Sequence, residues 1–342
     1  MKKSLLIFAI SLLGMLSCTK NDTVVSPKQT DVYVAGYDGD GSTYKAKIWK
    51  NGVATTLTNG STEAFANAVF VSGNDVYVCG YESTAVENIA KLWKNGVATS
   101  LTNGNSVAGA NSVFVSGNDV YVAGYETASN INIAKVWKNG VATALTNGTN
   151  TARPNKIVVA GSDVYVAGYE ANAAGKSVAK LWKNGVATSL SNDNYYANAS
   201  DVFVLNSDVY VAGYEGNAAG KTVAKIWKNG VATSLTDGTN NAEANSIFVS
   251  GNDVYVAGYE SNGTKLIAKV WKNGAATSFD AGSNYLIMNS VFVSGTDVYV
   301  AGLEYNNTST ASNAHIFKNG VATPLIKEYT YTGANGIFVI TE

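Results

Sequence analysis

From residue 31 onward the chain is a succession of short runs, each either alternating apolar and polar residues or filling four or five places with apolar ones, punctuated by Gly, Asn, Asp and Ser. In the stretch from 67 to 101 these runs are NAVFVSG, DVYVCGYE, IAKLWK and VATSL. Period-two alternation rich in Val, Tyr, Phe and Trp predicts strands. Asn95-Gly96 between the third and fourth runs predicts a two-residue type I′ hairpin, whose central residues both need positive φ. Ser72-Gly73-Asn74-Asp75 predicts a second tight turn, between the first run and the second. Outside the first residues of the chain no segment carries a helical period.

The four runs recur. DVYV begins at Asp31, Asp75, Asp119, Asp163, Asp208, Asp253 and Asp297, in steps of 44, 44, 44, 45, 45 and 44 residues. WKNG begins at Trp49, Trp93, Trp137, Trp182, Trp227 and Trp271, with Phe317 in the seventh place. Four strands in some 45 residues, seven times over, predict an all-β fold: a seven-bladed β-propeller with four antiparallel strands per blade. The first unit lacks a first strand, and Gly336-Ile337-Phe338-Val339-Ile340 is a first strand with nothing after it. Pairing of the N- and C-terminal strands in one composite blade would close the ring and remove its open edges. A linear β-solenoid is the alternative, but it has no use for such complementary ends.

Val76-Tyr77-Val78-Cys79-Gly80, followed later by Trp93, resembles the blade layout of Kelch-type propellers, with the family's double glycine reduced to one and the Trp moved to the third strand. The resemblance implies fold only, because such rings carry enzymes and binding scaffolds alike.

The N-terminus has a different character. Lys2 and Lys3 precede an uncharged stretch from Leu5 to Leu16, the order of a secretory signal and too short for a membrane-spanning helix. Leu13-Gly14-Met15-Leu16-Ser17-Cys18 resembles a bacterial lipobox, with Met15 and Leu16 departing from its preferred residues. The resemblance implies a signal peptide over 1–17, lipidation of Cys18, a tether over 18–30 and the propeller over 31–342, in a lipoprotein of the bacterial envelope held at the outer membrane, on either its periplasmic or its outer side. An ordinary signal peptide that happens to contain a cysteine is the alternative.

Composition narrows the function classes. Lys plus Arg number 24 and Asp plus Glu 25, so no net charge draws the chain to nucleic acid or to an anionic lipid surface, and a lipid anchor is the only membrane contact expected. One His and two Cys leave little for a metal centre, and neither a metal nor another cofactor is expected. Cys79 stands where sibling repeats have Ala, the place of a small buried hydrophobe. The chain is expected to act as a monomer.

In a propeller the apolar first strand lines the centre and the Thr- and Ser-bearing fourth strand forms the outer edge, where Pro324 is tolerated. The near-identical turns then fall on one end of the ring and the connections that differ from copy to copy on the other. Thirteen of the 20 tyrosines are repeat residues. The remaining seven, Tyr44, Tyr195, Tyr196, Tyr285, Tyr305, Tyr329 and Tyr331, fall in the variable connections, as do Phe65 and the sole arginine, Arg153. Tyrosine and arginine are strong contributors at recognition surfaces. Phe65, Arg153, Tyr195, Tyr196, Glu243, Tyr285, Tyr329 and Tyr331 are therefore the candidate ligand-binding residues, with loop-on-loop packing as their alternative role.

Other motifs carry less. The repeated Asp, Glu and Lys read as scaffold. Gly175-Lys176-Ser177 and Gly220-Lys221-Thr222 lack the earlier glycine and the helix of a phosphate-binding loop. Asp38-Gly39-Asp40-Gly41-Ser42 is a thin calcium motif, and His315 replaces a repeat lysine. One arginine and one histidine cannot supply a sialidase arginine triad or a two-histidine copper site. The expected function is a non-catalytic binding module taking a glycan or a protein on its variable end. The alternative is a carbohydrate-cleaving enzyme using Glu63, Asp193, Glu243 and Glu328 on the same end.

Overall fold

The computed structural model describes residues 29–342 apart from 307 and 309, so the signal segment, Cys18 and nearly all of the tether lie outside the described residues. The described residues form 28 strands and no helix. They run β1 (Thr30–Gly39), β2 (Tyr44–Lys50), β3 (Val53–Thr56); β4 (Ala64–Ser72), β5 (Asp75–Ser83), β6 (Asn88–Lys94), β7 (Val97–Ser100); and β8 (Ala108–Ser116), β9 (Asp119–Ala128), β10 (Ile131–Lys138), β11 (Val141–Ala144). There follow β12 (Ala152–Ala160), β13 (Asp163–Ala171), β14 (Ser177–Lys183), β15 (Val186–Ser189); β16 (Ala197–Leu205), β17 (Asp208–Gly216), β18 (Thr222–Lys228), β19 (Val231–Ser234); and β20 (Ala242–Ser250), β21 (Asp253–Ser261), β22 (Leu266–Lys272), β23 (Ala275–Phe279). The chain ends with β24 (Tyr285–Ser294), β25 (Asp297–Tyr305), β26 (Ser312–Lys318), β27 (Val321–Pro324) and β28 (Tyr331–Thr341).

Five sheets have four antiparallel strands each. A sixth has eight, because a single parallel bridge between Ser312 and Tyr331 joins the β24–β27 group to β28, β1, β2 and β3. Within it β28 and β1 pair antiparallel from Thr30 opposite Thr341 to Gly39 opposite Tyr331. This is the arrangement of a β-propeller. The first strands β4, β8, β12, β16, β20 and β24 lie side by side in that order, and β28 lies against both β24 and β4. Together they line a narrow central cavity of about 160 Å³. The fourth strands are largely exposed, Pro324 among them, with Ala54 and Phe279 half-buried.

Each first strand carries a bulge that sends one side chain sideways. Pairing skips Asn67 between Ala66 and Ala68, and the Asn67 amide donates to the Ala110 carbonyl of the next sheet at 2.9 Å. Asn111, Asn155, Asn245 and Asn289 repeat the contact, and Asn335 of β28 donates to Ala66 at 3.0 Å. Further along the same strands Phe70, Phe114, Phe203, Phe248, Phe292 and Phe338 form an aromatic layer, adjacent rings packing 4.7–5.0 Å apart wherever Val158 does not interrupt. The six tryptophans of the third strands are buried between neighbouring sheets; Trp93, for example, packs with Ala35, Ala46 and Ala66. Cys79 is buried in the next such cluster with Ala90 and Trp137, and burial pushes its thiol pKa up.

The constant end is one polar motif repeated. Asn95 and Gly96 have φ of 51° and 81°, the type I′ pair, and the Asn95 side chain accepts from the Val76 amide and donates to Asp75. Asp75 also holds Lys94 at 2.7 Å, and that ammonium lies over the Tyr77 ring. Lys50–Asp31, Lys138–Asp119, Lys183–Asp163, Lys228–Asp208, Lys272–Asp253 and Lys318–Asp297 repeat the pair, also at 2.7 Å. A second layer joins strands two and three, as in Lys91–Glu82 and Lys269–Glu260 at 3.1 Å. His315 occupies the lysine place in that layer and contacts Glu304 at 2.9 Å.

The lysine, and after it the asparagine, hold all seven constant-end aspartates below the usual value of 3.8. A carboxyl whose folded pKa is depressed contributes stability that is present above its unfolded pKa and is lost as pH falls through the folded one. Because these pairs are exposed and screened, the melting temperature is expected to fall only modestly below about pH 4, and a flat profile down to pH 2 in thermal melts would refute the motif's contribution.

The repeat glycine of the second strand has a steric cause. A Cβ on Gly80 would lie 1.9 Å from the Phe65 carbonyl oxygen, whereas at Gly302 the nearest atoms are 3.0 Å away and include the flexible Met288 sulfur. Gly80→Ala is expected to cost roughly 3 kcal/mol and Gly302→Ala distinctly less, as read by chemical denaturation.

Candidate functional site

At the variable end the first strands run on beyond the bulge. Phe65, Arg153, Glu243, Tyr285 and Tyr331 consequently sit on strands rather than in the connections where the sequence pattern predicts them. The reason is that pairing with the second strand resumes after the extra residue. Phe65 thus lies opposite Tyr81, Gly109 opposite Tyr125, Arg153 opposite Tyr169, Asn198 opposite Tyr214 and Glu243 opposite Tyr259. The mouth is a tier of repeat tyrosines facing a first-strand position that changes from copy to copy. Those tyrosines recur in six copies and so read as scaffold in sequence; their recurrence beside a hypervariable partner is the signal that marks them.

The candidate residues divide into separate groups around this mouth. Phe65 packs against Tyr37, Tyr44 and Tyr81 with centroids 4.8–5.2 Å away, and Tyr331 adds its edge to Tyr44 at 6.1 Å. Burial raises the pKa of Tyr81 to about 12. Arg153 lies over the Tyr125 ring at 4.1 Å, and with the Asn132 amide turned so that its oxygen faces the guanidinium, its Nε and Nη2 donate to that oxygen at 2.9 and 3.2 Å. Glu243 accepts from the Tyr259 hydroxyl. Tyr285 stacks on Tyr305 at 5.1 Å and donates to the Thr264 carbonyl. Lys45 donates to the Tyr329 hydroxyl at 3.0 Å.

Glu328 and the calcium-like segment serve the scaffold. Asp38 is fully buried, faces Lys47 at 3.4 Å, and accepts from the Glu328 and Tyr329 amides and the Thr332 hydroxyl. The Glu328 carboxylate meets the same Lys47 at 3.1 Å. Asp40 accepts from the amides of Ser42 and Thr43 and closes a local turn. Gly175 and Gly220 have φ of 76° and 71° and likewise belong to tight turns.

Tyr195 and Tyr196 are placed differently. The cleft between sheets β12–β15 and β16–β19 holds a cavity of about 600 Å³ walled by Tyr169, Tyr196, Tyr214, Asn150, Asn172 and Asn198, among others. On its far side Tyr196 also borders a cavity of about 240 Å³ with Tyr195, Lys176 and Lys221. Tyr196 is 59% exposed, the most exposed aromatic among the described residues whose large apolar side chains face solvent. Tyr195 lies across Gly216, where a Cβ would come 3.0 Å from the Tyr195 Cβ. Sibling repeats carry Gly39, Ser83, Thr127, Ala171, Ser261 and Tyr305 at that place.

No family model matches the chain, and no curated protein matches it. Among solved structures it is similar to the acylaminoacyl peptidase of Pyrococcus horikoshii, at 11% identity and a TM-score of 0.53, over 88% of this chain and 51% of that one. It is also similar to the β-propeller domain of the trilobed protease from Pyrococcus furiosus, at 10% identity and a TM-score of 0.50, over 88% of this chain and 93% of that one. The chain spans about half the length of the peptidase. Identities this low carry the β-propeller fold and nothing of either protein's activity.

Burial raises the Glu243 pKa above its usual 4.5 against the opposing effect of the Tyr259 hydrogen bond. A carboxyl raised in the folded state weakens the fold as pH climbs from its unfolded pKa through the folded one. Glu243→Gln is expected to raise the melting temperature at pH 7 and to leave it nearly unchanged below about pH 4; equal shifts at both pH values would contradict this.

Proposed function

We propose that the mature protein is an envelope-anchored, non-catalytic binding module: a seven-bladed, Kelch-like propeller, closed by the pairing of its terminal strands, that takes a glycan or protein ligand on its variable end. Closure is supported by the ladder between β1 and β28 and by the Asn335–Ala66 hydrogen bond, which continues the side-to-side contact of the other sheets. A signal peptide over 1–17 and a lipid on Cys18 are part of the same reading. The described chain begins beside the constant-end turns, where Gln29 accepts from the Glu342 amide. A tether over 18–30 would then hold the constant end toward the membrane and turn the variable end outward.

The observation that carries the binding role is exposed Tyr196 standing between two cavities, the larger of which is also walled by the repeat tyrosines Tyr169 and Tyr214. Rigid amphipathic rings lose little entropy when a ligand covers them. The carbohydrate-cleaving alternative has one observation in its favour, the raised pKa of Glu243, which suits a proton donor.

Glycan-array binding by wild type and by Tyr195→Ala/Tyr196→Ala/Arg153→Ala tests the reading. Loss of signal in the folded variant is expected, and an unchanged pattern would remove the proposed face. Polysaccharide turnover that disappears in Glu243→Gln would favour the enzyme instead.

A further inference from the structure

The cleft between sheets β12–β15 and β16–β19 is distinguished by what its wall lacks. None of the twelve residues lining the 600 Å³ cavity is charged. The wall consists of tyrosines, asparagines, hydroxyl residues and small residues, in a space within the usual range of small-molecule sites. Much of its polar capacity is also unspent. The hydroxyls of Tyr169, Tyr196 and Tyr214 and the side-chain amide of Asn150 make no hydrogen bond to other described residues. Such groups can each donate and accept, as sugar hydroxyls do, and ring faces offer apolar area to the C–H face of a pyranose. A charged ligand group would lose its hydration here without gaining a counter-charge.

Resting on the binding reading above, we infer that this cleft recognises an uncharged oligosaccharide, with Tyr196 at its rim as the stacking platform and Tyr169, Tyr214 and Asn150 as hydroxyl partners. The adjoining cavity does carry cations. Lys176 donates to the Asn194 carbonyl at 2.7 Å, while Lys221 makes no side-chain ion pair or hydrogen bond among the described residues. The two cavities therefore offer a direct contrast between neutral and acidic glycans.

The test is titration calorimetry of the folded propeller with two probe sets, neutral cello-, malto- and manno-oligosaccharides and acidic oligogalacturonates and sulfated fragments. A neutral probe should bind with an affinity unchanged between about 50 and about 500 mM salt, since no ion pair is there to be screened. Tyr196→Ala should weaken it by about tenfold or more, with Lys221→Gln without effect. Binding of acidic probes only, salt-sensitive and lost in Lys221→Gln, would overturn the inference while leaving glycan recognition on this end standing. So would neutral binding that survives Tyr196→Ala and disappears in Phe65→Ala/Tyr331→Ala. Failure of both probe sets would overturn it too, leaving a protein as the ligand of this end.

Discussion

A four-stranded sheet of some thirty residues has two apolar faces and no core of its own, so each sheet must be covered on both sides by a neighbour. Everything else in the molecule follows from how that is arranged. The third-strand tryptophan fills the widening gap toward the outside, where Trp93 packs against Ala35, Ala46 and Ala66. Toward the centre the space narrows, and a single bulged asparagine reaches the next sheet's backbone. The alanines and the repeat glycine belong to the same constraint. With the Phe65 carbonyl 1.9 Å from where a Cβ on Gly80 would stand, only glycine lets strand two approach a bulged strand one so closely.

Such packing demands sameness at one end of the molecule and permits difference at the other. The type I′ turn and the Asp–Lys–Asn motif fasten the ends of strands two and three within each sheet, and every copy keeps them. Beyond the bulge, the first-strand position opposite the repeat tyrosine has only to fill the mouth. It is Phe65, Gly109, Arg153, Asn198 and Glu243 in five successive sheets.

The fold was legible because its period is written in residues that cannot be exchanged freely. The Asn-Gly pairs took the positive φ values that the hairpin signal requires, and Pro324 falls on an outer strand. The site was legible only by region. Composition marked Phe65, Arg153, Glu243, Tyr285, Tyr329 and Tyr331, but each is already engaged by a neighbour that lies far off in sequence, as Tyr329 is by Lys45. The cleft beside Tyr196 depends on Tyr169 and Tyr214, whose recurrence disguised them as framework. One faint signal pointed there: the 45-residue steps at the fourth and fifth copies, whose extra residue lies in the second-to-third connection.

The lack of charge in that cleft is a consequence of the scaffold's own electrostatics. The chain has few ionisable residues, and the repeats commit most of them. One lysine per copy goes to the constant-end aspartate, and a second, or His315, goes to the carboxylate that closes strand two. Neighbours then occupy much of what remains at the variable end: Arg153 faces Tyr125 and Asn132, Glu243 takes the Tyr259 hydroxyl, and Glu328 goes to Lys47. Each such pair is exposed, contributes little on its own, and ties strands two and three within a single sheet. A surface whose charges are spent this way is left with ring faces, hydroxyls and amides for recognition. Such groups match a polyhydroxylated ligand better than an ionic one, because a hydroxyl can repay each of them in kind while a buried charge could be repaid by none.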